Sequence, residues 1–250
     1  MSFFEKAADL VQIAGGKNPS PKTSAIIVAA GNSTRMGGKI AKQWLEINDR
    51  PVLAHTLLAF ESARRIDEIV VVARREELEM VWALGKRYHI KKLTAVTHGG
   101  ATRALSVQRG LAKINARARF VAIHDGARCL ITPEQIDKVC RAAYRYRAAS
   151  ASMRVTDTIK LASKRGFIDK TIDRDSVVLV QTPQVFHTDL YRAALASTPN
   201  AEELTDDNQL IERLPYPVKL VETGADNLKI TRPEDLSRAE FILKQREVTP

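Results

Sequence analysis

Ala25-Ile26-Ile27-Val28-Ala29-Ala30-Gly31-Asn32-Ser33-Thr34-Arg35-Met36-Gly37-Gly38 decides the fold. The run Ala25–Ala29 is short and wholly apolar, as expected of a strand covered on both faces. It opens into a loop of small residues. Gly31, Gly37 and Gly38 permit positive φ, and the low bulk lets backbone N–H groups approach a phosphate closely. Arg35 offers a planar donor fork and Lys42 a point charge, both suited to a polyphosphate. The loop is neither a Walker loop nor a G-x-G-x-x-G fingerprint. An ordinary strand-to-helix turn with solvated cations has the same local composition.

Outward from this stretch, strand and helix patterns alternate. Helices are expected over 52–64, 76–88, 102–114 and from Pro133 to about Arg147, the last capped by Thr132. Strands are expected at Glu68–Ala73, 92–97 and Phe120–Ile123. Such alternation predicts a parallel sheet covered by helices, with ligands beyond the carboxyl ends of its strands. Chemistry should therefore gather at Ala30–Arg35 and His124–Arg128. From 151 to 186 the pattern changes to β-type stretches (Ser152–Val155, Ile159–Ala162, Val177–Val180) between charged turns, read as a β-hairpin excursion. Helices follow at 188–196 and 206–213, a strand at Pro217–Thr223 and a last helix at Glu234–Gln245.

His124-Asp125-Gly126-Ala127-Arg128 places a carboxylate at the end of an apolar strand. That position suits Mg²⁺, which needs oxygen ligands and shares them with substrate phosphates. A turn or cap role for Asp125 fits equally, and His124 alone reads as a packed histidine. In Gly224–Asp235, Lys229 precedes a helix starting near Pro233 and can face the same mouth as Lys42, or solvent.

The chain has 250 residues, 44% hydrophobic and 27% charged, with a formal net charge of +10. Length and balance fit one large soluble domain or two small ones. With no run of 18 apolar residues, no membrane-spanning helix is expected. The charge favours anionic partners, but no Lys/Arg run of five occurs and aromatics are 6%, which argues against nucleic acid. Cys129 and Cys140 lack metal-site spacing and read as free thiols of a reducing cytoplasm. Phe3, Phe4, Ala7, Leu10, Val11 and Ala14 recur at helical spacing, and Gly15–Pro21 reads as a linker. No signal peptide is seen. The chain divides into an extension, 1–23, and a domain, 24–247, with a β-arm at about 151–186.

Taken in order, Ala29-Ala30-Gly31…Arg35-Met36…Lys42-Gln43, Gly99-Gly100…Arg103…Ser106-Val107, His124-Asp125-Gly126-Ala127-Arg128, Asp157-Thr158-Ile159-Lys160, Gln181-Thr182-Pro183-Gln184-Val185-Phe186, Thr205-Asp206-Asp207 and Asn227–Leu236 closely resemble the 2-C-methyl-D-erythritol 4-phosphate cytidylyltransferase family. The resemblance runs from about Ser24 to Leu243. It implies an α/β, Rossmann-like nucleotidyltransferase fold, with a mostly parallel sheet and a protruding β-arm that exchanges contacts across a homodimer. It implies transfer of CMP from CTP to 2-C-methyl-D-erythritol 4-phosphate, with Mg²⁺ and release of pyrophosphate. Ala29, Ala30 and Gly31 would line the nucleotide, with Gly100, Arg103 and Ser106 on its cytosine and ribose side. Arg35 and Lys42 would clamp its phosphates, and Lys229 matches a second catalytic lysine. Asp125 matches the metal-binding carboxylate and Arg128 the basic residue beside it. Thr158 and Arg174, on the arm, match positions holding the acceptor phosphate from the neighbouring subunit, and Thr182 lies near the site.

The chain departs from the family pattern at Ser33, Ala101, Gly126 and Cys129, none of them a charged residue assigned to the chemistry. Competing readings are a ribitol-5-phosphate cytidylyltransferase, a nucleotide-binding scaffold and a nucleic-acid binder.

Overall fold

The computed structural model describes residues 21–31 and 41–248. Arg35, Ser33 and the N-terminal helix expected over 3–14 lie outside the described residues. In chain order the elements are β1 Thr23–Val28, β2 Glu46–Ile47, β3 Arg50–Pro51, α1 Val52–Ser62, β4 Glu68–Ala73, α2 Leu78–Arg87, β5 Leu93–His98, α3 Arg103–Leu111, β6 Phe120–Asp125 and α4 Pro133–Tyr146. Then come β7 Ala148–Arg154, β8 Ile159–Ala162, β9 Ile168–Ile172, β10 Val178–His187, α5 Thr188–Ser197, α6 Asn208–Arg213, β11 Lys219–Glu222 and α7 Glu234–Val248.

Seven strands form one sheet in the order β11-β7-β10-β6-β1-β4-β5. β10 runs antiparallel to both neighbours, and the other pairings are parallel. The apolar run of β1 is explained by its central place. Ala25 and Ile27 pack on one face with Phe60, Leu57 and Val139. Ile26 packs on the other with Val72, Val107 and Phe186. Successive side chains of a strand face opposite ways, so a strand buried on both sides must be apolar throughout. Gly110 lets α3 close on this sheet, since a Cβ there would come within 2.5 Å of Ile26 Cγ2.

A third apolar cluster joins Ile47 and Val52 to Ala127, Leu130, Ile230 and Ala239. It fastens the turn after β6 to the segment before α7, and Ile230 N–H donates to Ala127 O at 2.8 Å. Two distant stretches that carry charged residues are thereby held side by side.

The β-type region resolves into two parts. Ala148–Arg154 and Val178–Phe186 pair with each other inside the main sheet. Only β8 and β9 form a separate two-stranded hairpin. The protruding arm is therefore narrower than 151–186, and its second strand, β9, stands where a charged turn was expected. Ile168-Asp169-Lys170-Thr171-Ile172 is mostly exposed, so it lacks the apolar signal by which a strand is recognised.

Helix ends are trimmed by local bonding. The stretch expected as a helix from 76 begins as a 3₁₀ turn, Arg75–Glu77, followed by α2. Thr132 caps α4 as expected, accepting from Gln135 N–H while the Gln135 side chain accepts from Thr132 N–H.

Candidate active site

The carboxyl ends of β1, β4, β5 and β6 share one edge of the sheet, and Val28 is paired with both Asp125 and Val72. Ala29 N–H donates to Val72 O at 2.7 Å, which ties the start of the small-residue loop to β4. Gly99 follows β5, and a Cβ on it would stand 2.3 Å from Ala30 Cβ. Glycine is thus needed for the β5 loop to close on the β1 loop. Gly100 N–H donates to Ser106 Oγ at 3.0 Å, and Ser106 Oγ–H donates to Thr102 O at 2.9 Å. Ala30, Gly99, Gly100 and Ser106 form one wall.

Asp125 ends β6 and is 8% exposed. Three cations surround it. Lys229 Nζ lies 2.8 Å from Oδ2, Arg103 Nε 3.3 Å from Oδ1 and Arg128 Nε 3.8 Å from Oδ2. Burial alone would raise its pKa; the charges of Arg103 and Lys229 overcome this and hold the carboxyl well below the ordinary range. Asp125 is therefore an ionised carboxylate at the strand end. Arg128 also donates to Asn227 O at 2.8 Å. Lys42 Nζ donates to Ile230 O at 2.9 Å, one residue from Lys229. Arg103, Arg128 and Lys229 thus converge on one carboxylate from three separate parts of the chain, and Lys42 is tied to the backbone beside Lys229.

Beneath Asp125 lies a polar relay. Asp125 N–H donates to Thr182 Oγ1 at 3.1 Å, and Thr182 Oγ1 stands 3.1 Å from His124 Nδ1. His124 Nε2 lies 3.1 Å from Arg128 O, which can only accept. The assigned tautomer therefore carries its proton on Nε2, and the threonine hydroxyl donates to Nδ1. Protonating Nδ1 would leave the hydroxyl hydrogen without an acceptor. Burial pushes the His124 pKa down to about 3. In the unfolded chain it sits near 6.5. Between these values the unfolded state binds more protons, so stability falls as pH drops from about 6.5 toward 3. His187, also pushed down by burial, adds with the same sign. Asp125, whose pKa is depressed, loses its contribution only below about 4. Urea midpoints at pH 7.5 and pH 5 should therefore differ, and His124→Gln, which keeps one donor and one acceptor, should reduce the difference.

Sequence reasoning missed Asp207. Its Oδ2 is 2.5 Å from Arg103 Nη1, its Oδ1 accepts from Tyr191 O–H at 2.7 Å, and its N–H donates to Gln184 Oε1 at 3.1 Å. Arg103 is thus gripped on both sides, by Asp125 and by Asp207. The Thr205-Asp206-Asp207 motif was the available signal, but nothing local pairs it with a residue 104 positions away. Asn227 was missed too; its amide donates to Gln181 Oε1 and Thr182 O, both at 2.9 Å, and fastens the Lys229 segment to β10.

The arm residues stand apart. Thr158 and Arg174 are exposed, and Arg174 donates to Thr156 O within the arm at 2.8 Å. Among the described residues no group of three His, Cys, Asp or Glu side chains is placed to hold a metal. A lone ionised carboxylate suits an ion that takes its remaining oxygens from phosphates and water, as Mg²⁺ does.

A mostly parallel, helix-covered sheet with basic side chains gathered on a carboxylate at its strand ends defines a nucleotide-handling α/β protein, built to receive phosphates. The sequence profile of the 2-C-methyl-D-erythritol 4-phosphate cytidylyltransferase family matches residues 23–245, and the chain belongs to that family. The family's enzyme from Caldanaerobacter subterraneus subsp. tengcongensis is 42% identical over 224 residues, 89% of this chain and 99% of the relative. That of Dehalococcoides mccartyi strain 195 is 41% identical, covering 90% and 97%. Among solved structures, 4-diphosphocytidyl-2C-methyl-D-erythritol synthase from Anaerococcus prevotii superposes with a TM-score of 0.79 at 30% identity, covering 90% of this chain and 97% of that one. The Thermus thermophilus cytidylyltransferase gives 0.71 at 32% identity, covering 89% and 99%.

Proposed function

We propose that the protein transfers CMP from CTP to 2-C-methyl-D-erythritol 4-phosphate in isoprenoid precursor synthesis. The observation that carries this reading is the convergence of Arg103, Arg128 and Lys229 on Asp125, with Lys42 bonded to the Ile230 carbonyl next to Lys229. An oxygen of the acceptor phosphate attacks the α-phosphorus of CTP. The bond from that phosphorus to the bridging oxygen of the β-phosphate breaks, and pyrophosphate leaves with the electron pair. Two anions must meet, and at 4 Å two unit charges repel by roughly 4 kcal/mol at an effective dielectric of 20. The cations offset that repulsion and stabilise charge moving onto the leaving group. The acceptor is already ionised, so no side-chain nucleophile is required, and positioning and electrostatics carry the rate.

Within this reading Lys42 and Lys229 act on the phosphates, joined by Arg35 from the loop. Ala29, Ala30, Gly31, Gly100, Arg103 and Ser106 face the nucleoside, and Arg128 and Thr182 support the acceptor side. Asp125 would hold Mg²⁺, which when bound supplies charge neutralisation at the transferring phosphate. The chain pairs as a homodimer through the arm. Exposed Leu161, Phe167 and Ile168 there support this, as does the placing of Thr158 and Arg174 away from the Asp125 cluster. Residues 24–247 form the catalytic domain and 1–23 an extension. Among the described residues no helix is long and apolar enough to cross a membrane; free buried Cys129 and Cys140 support a cytoplasmic setting.

Pyrophosphate release from CTP against a panel of polyol phosphates tests the reaction. Turnover with methylerythritol phosphate is expected to exceed that with ribitol 5-phosphate, and the reverse order would transfer the assignment. Arg174→Ala is expected to raise KM for the sugar phosphate and leave CTP affinity, read by calorimetry, nearly unchanged.

A further inference from the structure

We propose that Glu77, in the turn after β4, is a positioning residue for Lys42: it grips the two residues that follow the lysine and so sets where the lysine's charge stands. The inference rests on the reading that Lys42 acts on the substrate phosphates. Glu77 belongs to none of the motifs that carry the family resemblance. Its partners lie 34 and 33 positions away in the chain, and only the fold brings them together.

Lys42, Gln43 and Trp44 form a single 3₁₀ turn. With three residues per turn, successive side chains leave the axis about 120° apart. Holding two of the three directions therefore fixes the third. Gln43 Nε2 donates to both Glu77 oxygens, at 3.2 and 3.0 Å, and Trp44 Nε1 donates to Oε1 at 2.6 Å. Trp44 N–H closes the turn on Ala41 O at 2.9 Å. At its other end, Lys42 Nζ donates to Ile230 O at 2.9 Å. The lysine is thus held at its base through Glu77 and at its tip by the segment that carries Lys229.

The grip is anchored to the sheet. Glu77 N–H donates to Arg74 O at 3.0 Å, so the carboxylate is carried by the turn that leaves β4, the strand next to β1. Glu77 and Gln43 are both buried. The carboxylate also accepts from Arg74 N–H at 3.4 Å and from the Arg74 guanidinium. Burial alone would raise its pKa; the hydrogen bonds from Arg74, Trp44 and Gln43 outweigh this and hold it below the ordinary carboxylate range. An ionised carboxylate only accepts, and its two oxygens take several donors at once. In a glutamine of the same shape one oxygen becomes an NH₂ group. That group meets either the Arg74 backbone N–H or the Trp44 indole, donors both. The turn then loses part of its hold, while Lys42 keeps its charge.

Glu77→Gln is expected to lower kcat for pyrophosphate release by about tenfold, since a misplacement of about 1 Å can cost as much or more. KM for the sugar phosphate should not change. In a Lys42→Ala background the same substitution should lower kcat by less than about twofold, because residues that act as a unit are not additive. A general loosening of the fold would cost the same factor in both backgrounds. Trp44→Phe keeps an aromatic ring and removes one donor, so it tests the grip even if Glu77→Gln folds poorly. It should cost roughly threefold, again only with Lys42 present. NMR of the ¹³C-methylated lysines reads placement without turnover. The Lys42 resonance, identified by its loss in Lys42→Ala, should move in Glu77→Gln, and that of Lys229 should stay. Equal factors in the two backgrounds, near-native turnover in both Glu77→Gln and Trp44→Phe, or an unmoved Lys42 resonance would overturn the proposal. Near-native turnover in Lys42→Ala would instead refute the lysine's role in the reaction, and the resonance alone would then decide whether Glu77 places it.

Discussion

Lys229→Ala lowers kcat by about 10²-fold or more, equivalent to roughly 2.7 kcal/mol at 1.36 kcal/mol per decade. The lysine sits 2.8 Å from the Asp125 carboxylate, so its charge is already in the crevice before any substrate arrives. Its backbone is fixed by its neighbour: Ile230 is fully buried, and its N–H and carbonyl are bonded to Ala127 and Lys42. Such preorganised charge costs no rearrangement at the moment of reaction. Lys42→Ala is expected to act in the same direction, losing both a cation and a tie to the Ile230 carbonyl. Steady-state pyrophosphate release measures both, and near-native turnover in either variant refutes that lysine's role.

Asp207→Ala should destabilise the fold by about 3 kcal/mol, the lower end of the cost of breaking a buried ion pair. Arg103 keeps Asp125 as one partner, which is why the lower end applies. For a chain of this size the loss corresponds to a fall in Tm of roughly 6–12 °C. Tyr191 is 1% exposed and would lose the acceptor for its hydroxyl. Tyr191→Phe, which removes the hydroxyl itself, should cost only about 1 kcal/mol. Thermal melts of the two variants discriminate a buried network from an incidental contact: equal small shifts would contradict it. Arg103, freed on one side, would also lose its fixed direction toward Asp125, so turnover should fall with stability in Asp207→Ala.

The central strands were legible because burial on both faces demands apolar residues at every position, as in Ile69–Ala73 and Phe120–Ile123. Asp125 was legible because it directly follows such a run. Lys229 could be assigned to the mouth only by resemblance, and its contact with Asp125 depends on Ile230 packing against Ala127 and Leu130. Asp207 was not legible, since its partnership with Arg103 spans 104 positions and leaves no periodic trace. β10 was read only to Val180 because Thr182-Pro183 interrupts a strand pattern, and proline is rare in central strands. In the fold the pairing register with β7 shifts between Val180 and Gln184, which accommodates that interruption.

β10 begins at the root of the arm and ends deep in the sheet. Thr182, under Asp125, is four residues from Val178, about 13 Å along a strand. The arm and the floor of the crevice are therefore one continuous piece of backbone. A load placed on the arm is carried along this one stretch of backbone, through the register shift between Val180 and Gln184, to the threonine hydroxyl that accepts the Asp125 N–H.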